Sequence, residues 1–451
     1  MMAAAAMPAT RDDPPRRPLR PVDWPVVVVP EILGAGQEEA VGEGADVGAG
    51  GGRPVVVGRG GAGQLGGADL GAEAGEVELL LLAEEPPLLL PRELLVHPLV
   101  LPLGQPARER PRPAPHPSGV FVGGGERSLV EMGEGERKRV LVVGGSGYLG
   151  QHLLSALAAG GGVDVAFTHH RETPPQALLH ALPGLRAFRV DLRSGDGLHA
   201  VSESFGQPDV IVNCAAISVP RECETDPAAA MATNVPSSLV GWLLSFGNDS
   251  TLLIHLSTDQ VYEGVKSFYK EEDETLPVNM YGKSKVAAEK FIIEQCSNYA
   301  ILRSSIIYGP QTISPVAKSL PIQWMDSVLS QGQQVQFFND EFRCPVYVKD
   351  MVDVVLSLTK SWLADGKAIQ VLLNVGGPDR VSRLQMAETV ADVRGYSHSI
   401  IKSVSASSVD RGVASPPDIS MDITKLTQML GIKPISFQDG VRATLAEEAS
   451  T

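Results

Sequence analysis

Beyond Met132 the hydrophobic positions fall into short, nearly unbroken runs separated by stretches of helical period. Arg139–Val143 is the first run and ends in glycines. Further runs follow at Val163–Thr168, Arg186–Val190, Asp209–Asn213, Leu252–Ser257 and Ala300–Arg303. A run without polar alternation predicts a strand buried on both faces, as in a parallel sheet. Between the first two runs, Gln151–Ala159 reads as a helix closed by Gly160-Gly161-Gly162. Strands alternating with helices in this way predict an α/β fold, a doubly wound parallel (Rossmann) sheet with right-handed crossovers. Past Tyr308-Gly309-Pro310 the alternation loosens. The expected organisation is a dinucleotide-binding domain over 132–310 and a small mixed α/β lobe over 311–451, capping the carboxyl ends of the strands.

Residues 1–131 differ in kind. Ala, Gly, Pro, Leu, Arg and Glu dominate, and no period of 2 or 3.6 is sustained. Such a composition predicts a low-complexity, disordered leader. Its Leu79–Leu103 patch is interrupted by Glu84, Glu85, Arg92 and Glu93 and by Pro86, Pro87 and Pro91, so no apolar run approaches the roughly 20 residues of a membrane span. No apolar core follows the first basic residues, against a secretory signal. Asp12, Asp13, Glu31, Glu38 and Glu39 count against a long transit peptide. Met132-Gly-Glu-Gly-Glu-Arg-Lys-Arg139 leads straight into the first strand. The expectation is therefore that Met132 is the natural start and that 1–131 is a leader or foreign to the native protein.

The formal net charge is −15, which offers no nucleic-acid footprint. The four cysteines, Cys214, Cys223, Cys296 and Cys344, are scattered without a C-x-x-C. This pattern predicts a reduced, cytoplasmic protein with neither a disulfide framework nor a metal site.

Candidate chemistry sits at the strand ends. Gly144, Gly147 and Gly150 form G-x-x-G-x-x-G between a strand and a helix, enclosing Tyr148 and Leu149. Bare backbone there turns tightly and lets a pyrophosphate approach the helix N-terminus. The second strand ends in Thr168-His169-His170-Arg171, and the first acid is Glu172. A carboxylate at this place would repel a 2′-phosphate; His169 and Arg171 would favour one, so NADP(H) is expected over NAD(H). Asp191-Leu192 follows the third strand and would meet the adenine edge. Ala215 and Ala216 follow the fourth and would let the dinucleotide pass over the sheet. Ser257-Thr258 ends the fifth. Tyr281 and Lys285 are four apart, one helical turn. An ammonium near a phenol favours the phenolate and lowers its pKa. The expected arrangement has Thr258 holding a carbonyl oxygen, Tyr281 protonating it and Lys285 binding the nicotinamide ribose.

These motifs resemble the extended short-chain dehydrogenase/reductase superfamily. Within it the chain is similar to the branch holding dTDP-4-dehydrorhamnose reductase and the regulatory beta subunit of methionine adenosyltransferase. The resemblance runs over about residues 138–445. It is carried by Val142–Gly150, Asn213–Ala216, Asp226–Ala230 with Thr233–Val235, Ser257–Tyr262, Leu276–Lys285, Arg343–Asp350 and Met421–Leu426. It implies that Thr258, Tyr281 and Lys285 match the family's triad, and Gly144, Gly147 and Gly150 its cofactor loop. The implied activity is hydride transfer from NADPH to a 4-keto sugar nucleotide. The implied alternative is a non-catalytic subunit that docks on the methionine adenosyltransferase catalytic subunit in S-adenosylmethionine biosynthesis. Four segments depart from the reductase pattern: Thr258-Asp-Gln-Val-Tyr262, Ser304–Tyr308, Arg343-Cys-Pro-Val346 and Ser415-Pro416.

Overall fold

The computed structural model describes residues 137–448. The expected leader over 1–131, its Leu-rich patch and the start at Met132 lie outside the described residues. Six strands fall on the six predicted runs: β1 Lys138–Val143, β2 Val163–His169, β3 Arg186–Arg189, β4 Val210–Asn213, β5 Leu252–Thr258 and β6 Tyr299–Ser304. A further strand, Gln370–Val375, pairs with β6, giving a seven-stranded sheet. Its order is Gln370–Val375, β6, β5, β4, β1, β2, β3, and every neighbouring pair is parallel. The order reverses between β1 and β4, which opens a crevice at their carboxyl ends where such folds bind ligands.

The unbroken apolar runs are explained by the two cores they serve. Val140, Val142, Val210, Val212, Ile254 and Leu302 pack to one side, with the Tyr148–Gly160 and Val348–Asp365 helices. Leu141, Val143, Ile211, Leu253 and Ile301 pack to the other, with the Leu198–Ser204, Ser237–Leu244 and Met280–Gln295 helices. Side chains alternate faces along a strand, so a sheet covered on both faces needs apolar residues at every position.

A third cluster joins Tyr308, Ile322, Met325, Leu329, Phe337, Met386 and Val441. It unites the Pro321–Ser330, Arg383–Arg394 and Phe437–Glu448 helices into a separate core. The Val348–Asp365 helix and the Gln370–Val375 strand, although they follow residue 311, belong instead to the sheet. The helix packs in the core on one face of the sheet, and the strand pairs along what would otherwise be an open edge at β6. Among the described residues, no helix is long and apolar enough to cross a membrane. All four cysteines are free thiols.

Candidate functional site

The glycines after β1 serve two different needs. Gly144 has φ +74°, and a Cβ there would lie 2.9 Å from the Ala215 Cα and backbone N. A Cβ on Gly150 would meet the Gly144 carbonyl oxygen and Gly145 Cα at 2.6 Å. Gly144 is thus demanded by the close approach of Ala215 after β4, and Gly150 by packing within the turn. A Cβ on Gly147 would meet only the Gly144 oxygen, at 3.2 Å. Gly147 is the N-cap of the Tyr148–Gly160 helix and supplies no side-chain cap. The helix start is therefore bare, with its first amides and partial positive charge available to an anion. This fits a dinucleotide pyrophosphate. The Tyr148 hydroxyl donates to the Pro310 carbonyl (3.1 Å), and buried Gln151 bonds both the N–H and the C=O of Ser314 (2.9 and 2.8 Å). These bonds tie the 310–314 segment to the glycine turn.

The end of β2 differs from expectation. The strand runs one residue further than predicted: His169 pairs with Arg189, and its carbonyl accepts from the Val190 N–H (3.0 Å). His169 is consequently buried, with Nδ1 2.9 Å from the Arg171 carbonyl oxygen. Burial lowers its pKa, which disfavours a charge on the ring. Arg171 and His170 are exposed. Glu172, the first acid, pairs with Arg189 at 2.7 Å. The Asp191 carboxylate accepts from the Arg193 guanidinium (2.7 Å) and backbone N–H (2.9 Å), and these bonds hold its pKa far below the usual carboxylate range. Leu192 is buried, and its carbonyl accepts from the Ser238 hydroxyl. Ala215 and Ala216 are half-buried, and Ala215 is held by a bond from its N–H to Asn213 (3.2 Å).

Thr258, Tyr281 and Lys285 meet at the carboxyl end of β5. The Met280–Gln295 helix begins with Asn279, whose side chain accepts from the Gly282 N–H (2.9 Å) and donates to Gln260 (2.7 Å) and the Ala414 carbonyl (3.0 Å). A Cβ on Gly282 would strike the Gln260 carbonyl oxygen at 2.2 Å, so glycine lets the helix sit directly on the Asp259–Val261 turn. The first helical turn then presents Tyr281, and the next presents Lys285; both are buried.

The electrostatics reverse one expectation. The Lys285 ammonium donates to the Leu256 carbonyl (2.7 Å), and burial, opposed by Glu289, lowers its pKa to about 8. The Tyr281 phenol is pushed up, not down: burial dominates, a hydrogen bond with Thr258 opposes it, and the charge of Asp259 adds to it. In this interior the desolvation of a phenolate is the largest effect on the phenol.

Sequence reasoning missed Asp259. It is 4% exposed, accepts from the Thr258 hydroxyl (3.2 Å) and the Ser305 hydroxyl (2.8 Å), and is faced by Arg343 and Arg383. An acid directly after the β5 hydroxyl was the available signal. Asn279 was also missed, although Asn before a helix is a common cap.

The family model described as "RmlD substrate binding domain" matches residues 138–450. The chain belongs to that family. It is similar to methionine adenosyltransferase 2 subunit beta of Pongo abelii, 29% identical over 328 residues that cover 72% of this chain and 92% of the relative. It is also similar to a probable low-salt glycan biosynthesis reductase, Agl14, of Haloferax volcanii, 26% identical over 304 residues, 67% of this chain and 95% of the relative. Among solved structures, dTDP-4-dehydrorhamnose reductase from Bacillus anthracis in complex with NADP aligns with TM-score 0.55 and 20% identity, covering 69% of this chain and 100% of that one. At that identity the likeness is one of fold.

Arg343 is 3% exposed, its guanidinium donating to the Phe342 carbonyl (2.8 Å) and the Ser415 hydroxyl (3.2 Å). Two departures, Arg343–Val346 and Ser415-Pro416, are therefore one linked feature in space.

Proposed function

We propose that this RmlD-family chain is an NADP(H)-binding reductase of the dTDP-4-dehydrorhamnose reductase type, acting on the carbonyl of a 4-keto sugar nucleotide in the cytoplasm. The observation that carries it is the meeting of Thr258, Tyr281 and Lys285 at the carboxyl end of β5, on the same edge of the parallel sheet as the bare helix start that follows β1. Gly144, Gly147, Tyr148, Leu149 and Gly150 would hold the pyrophosphate, and Arg171 the 2′-phosphate. Ala215 and Ala216 would admit the dinucleotide over the sheet, and Lys285 would bind its nicotinamide ribose. The reduced nicotinamide supplies the hydride. Tyr281, neutral in its buried position, would give its proton to the carbonyl oxygen. Residues 311–451 would supply most of the sugar-nucleotide contacts.

A second reading is favoured by the bond from buried Arg343 to Ser415 where the reductase pattern is lost, and by the subunit-beta relatives. In it the chain binds NADP(H) but docks on a methionine adenosyltransferase catalytic subunit and tunes S-adenosylmethionine synthesis. Both readings are tested by following NADPH absorbance with a panel of 4-keto sugar nucleotides, using the full chain and Tyr281→Phe. Turnover that the substitution removes supports the reductase. No turnover, with co-purification of methionine adenosyltransferase, supports the regulator.

A further inference from the structure

Arg343 and Arg383 come together in the fold. A short antiparallel ladder joins Phe342–Arg343 to Val381–Ser382 and pairs Arg343 with Val381. Arg383 follows directly, as the first residue of its helix. Arg343 is buried and Arg383 half-buried. The Arg343 guanidinium donates to the Ser415 hydroxyl, and the preceding Ala414 carbonyl accepts from Asn279 (3.0 Å), which caps the helix carrying Tyr281. These bonds tie Arg343 to the start of that helix.

Among the described residues, neither arginine has a carboxylate within ion-pair distance. Glu341 is taken by Arg411, and Asp418 by Arg380 (2.7 Å). Asp259 faces both arginines by charge, but its oxygens accept from Thr258 and Ser305. Arg343 spends its bonds on the Phe342 and Pro417 carbonyls and on Ser415. Arg383 bonds no oxygen among the described residues; its guanidinium meets the Met386 sulfur at 3.9 Å. Burial, and then the charge of Arg343, push the Arg383 pKa down to about 10. Two neighbouring guanidinium groups with donors to spare are costly in an interior unless an acceptor arrives.

We propose that Arg343 and Arg383 form an oxyanion subsite that holds a phosphate group of the substrate, built from different elements than the helix start at Gly147. It rests on the reading above only in assigning that phosphate to a substrate. The Arg383 fork is open and matches two oxygens at once. A carboxylate would spend both of its oxygens there, whereas a phosphate keeps a third for Arg343.

The test is calorimetric titration of the full chain with inorganic phosphate and with acetate, in excess NADP⁺ so that the glycine turn is filled. Phosphate should bind and acetate should not. Arg383→Gln should weaken phosphate by at least about tenfold. Its melting temperature without phosphate should match or exceed that of the parent, because no bond to oxygen is lost. A marked fall would make Arg383 structural and count against the subsite. Arg383→Lys keeps the charge without the fork; it should also weaken phosphate, and it carries the test if the Gln variant fails to fold. The proposal is overturned if phosphate does not bind the parent, if both variants bind it unchanged, or if acetate binds equally well. Phosphate binding without turnover on 4-keto sugar nucleotides would count against the reductase and leave the subsite standing.

Discussion

Lys285 lies one helical turn from Tyr281, yet it gives its hydrogen bond to the Leu256 carbonyl of β5, 2.7 Å away. The ammonium is thereby fastened to the sheet, and the helix that carries both residues is fastened with it. Because the group is buried, its charge is costly, and its pKa falls from 10.5 to about 8.

That shift predicts a pH dependence of stability. An unfolded lysine keeps its proton to about pH 10; the buried one gives it up near pH 8. Between these values the unfolded chain binds more protons, so stability rises with pH. Below that window both states are protonated and the full burial cost remains. Relative to Lys285→Met, the native chain should gain on the order of 3 kcal/mol across the window. Urea unfolding of both proteins at stepped pH measures it. The buried thiols, whose pKa values are raised, act oppositely in both proteins, so the difference is the quantity to read. A difference that does not change with pH would mean that Lys285 is not desolvated.

The glycine turn predicts two distinct phenotypes. Gly144→Ala forces a side chain into φ +74° and against Ala215. It should destabilise the fold by about 1–3 kcal/mol. Gly147→Ala meets only a carbonyl oxygen at 3.2 Å, so the melting temperature should hold within a few degrees. NADPH affinity should nonetheless fall at least about tenfold, because the methyl stands at the helix start. Thermal unfolding and calorimetric titration separate the two effects.

Cofactor choice should depend on Arg171 and not on His169. Arg171→Asp is expected to weaken NADPH by about tenfold or more while leaving NADH within about threefold, since only NADPH presents a 2′-phosphate. His169 is buried in the strand and burial lowers its pKa, so its replacement by Gln should alter the ratio little. Fluorescence titration with each dinucleotide decides. An unchanged ratio in the Arg171 variant would remove the argument for NADP(H).

The sheet and glycine turn were legible because each rests on local pattern. An apolar run at Arg139–Val143 leading into G-x-x-G-x-x-G is almost sufficient to place β1 and the helix after it. The edge strand Gln370–Val375 was missed because it pairs with β6 across a long gap in sequence. The triad residues were identifiable from spacing, but the state of the phenol was not. It depends on burial against Cys223 and Ala230 and on Asp259, which the fold alone assembles. The placement of His169 was hidden for a similar reason: one extra ladder pair with Arg189 puts what reads as a loop residue into the strand, where it is buried.

The helix bearing Tyr281 is anchored a second time, by Glu289 and Arg303. Arg303 Nε and a terminal nitrogen reach the carboxylate at 3.0 and 2.7 Å, with both side chains 5% exposed. The hydroxyl of Ser257 completes the Glu289 shell, and Tyr262 (3.0 Å) that of Arg303. Removing one partner strands the other charge in the interior, so Glu289→Gln and Arg303→Met should each cost about 3–5 kcal/mol. The double variant Glu289→Gln/Arg303→Met should cost clearly less than the sum, because neither charge is then left alone. Guanidinium unfolding of the four proteins gives the coupling. Glu289 also sustains the charge of Lys285, one turn away, so Glu289→Gln should lower the Lys285 pKa further and shift the stability window described above to lower pH. Additive costs with no such shift would show that the pair neither anchors the helix nor tunes the lysine.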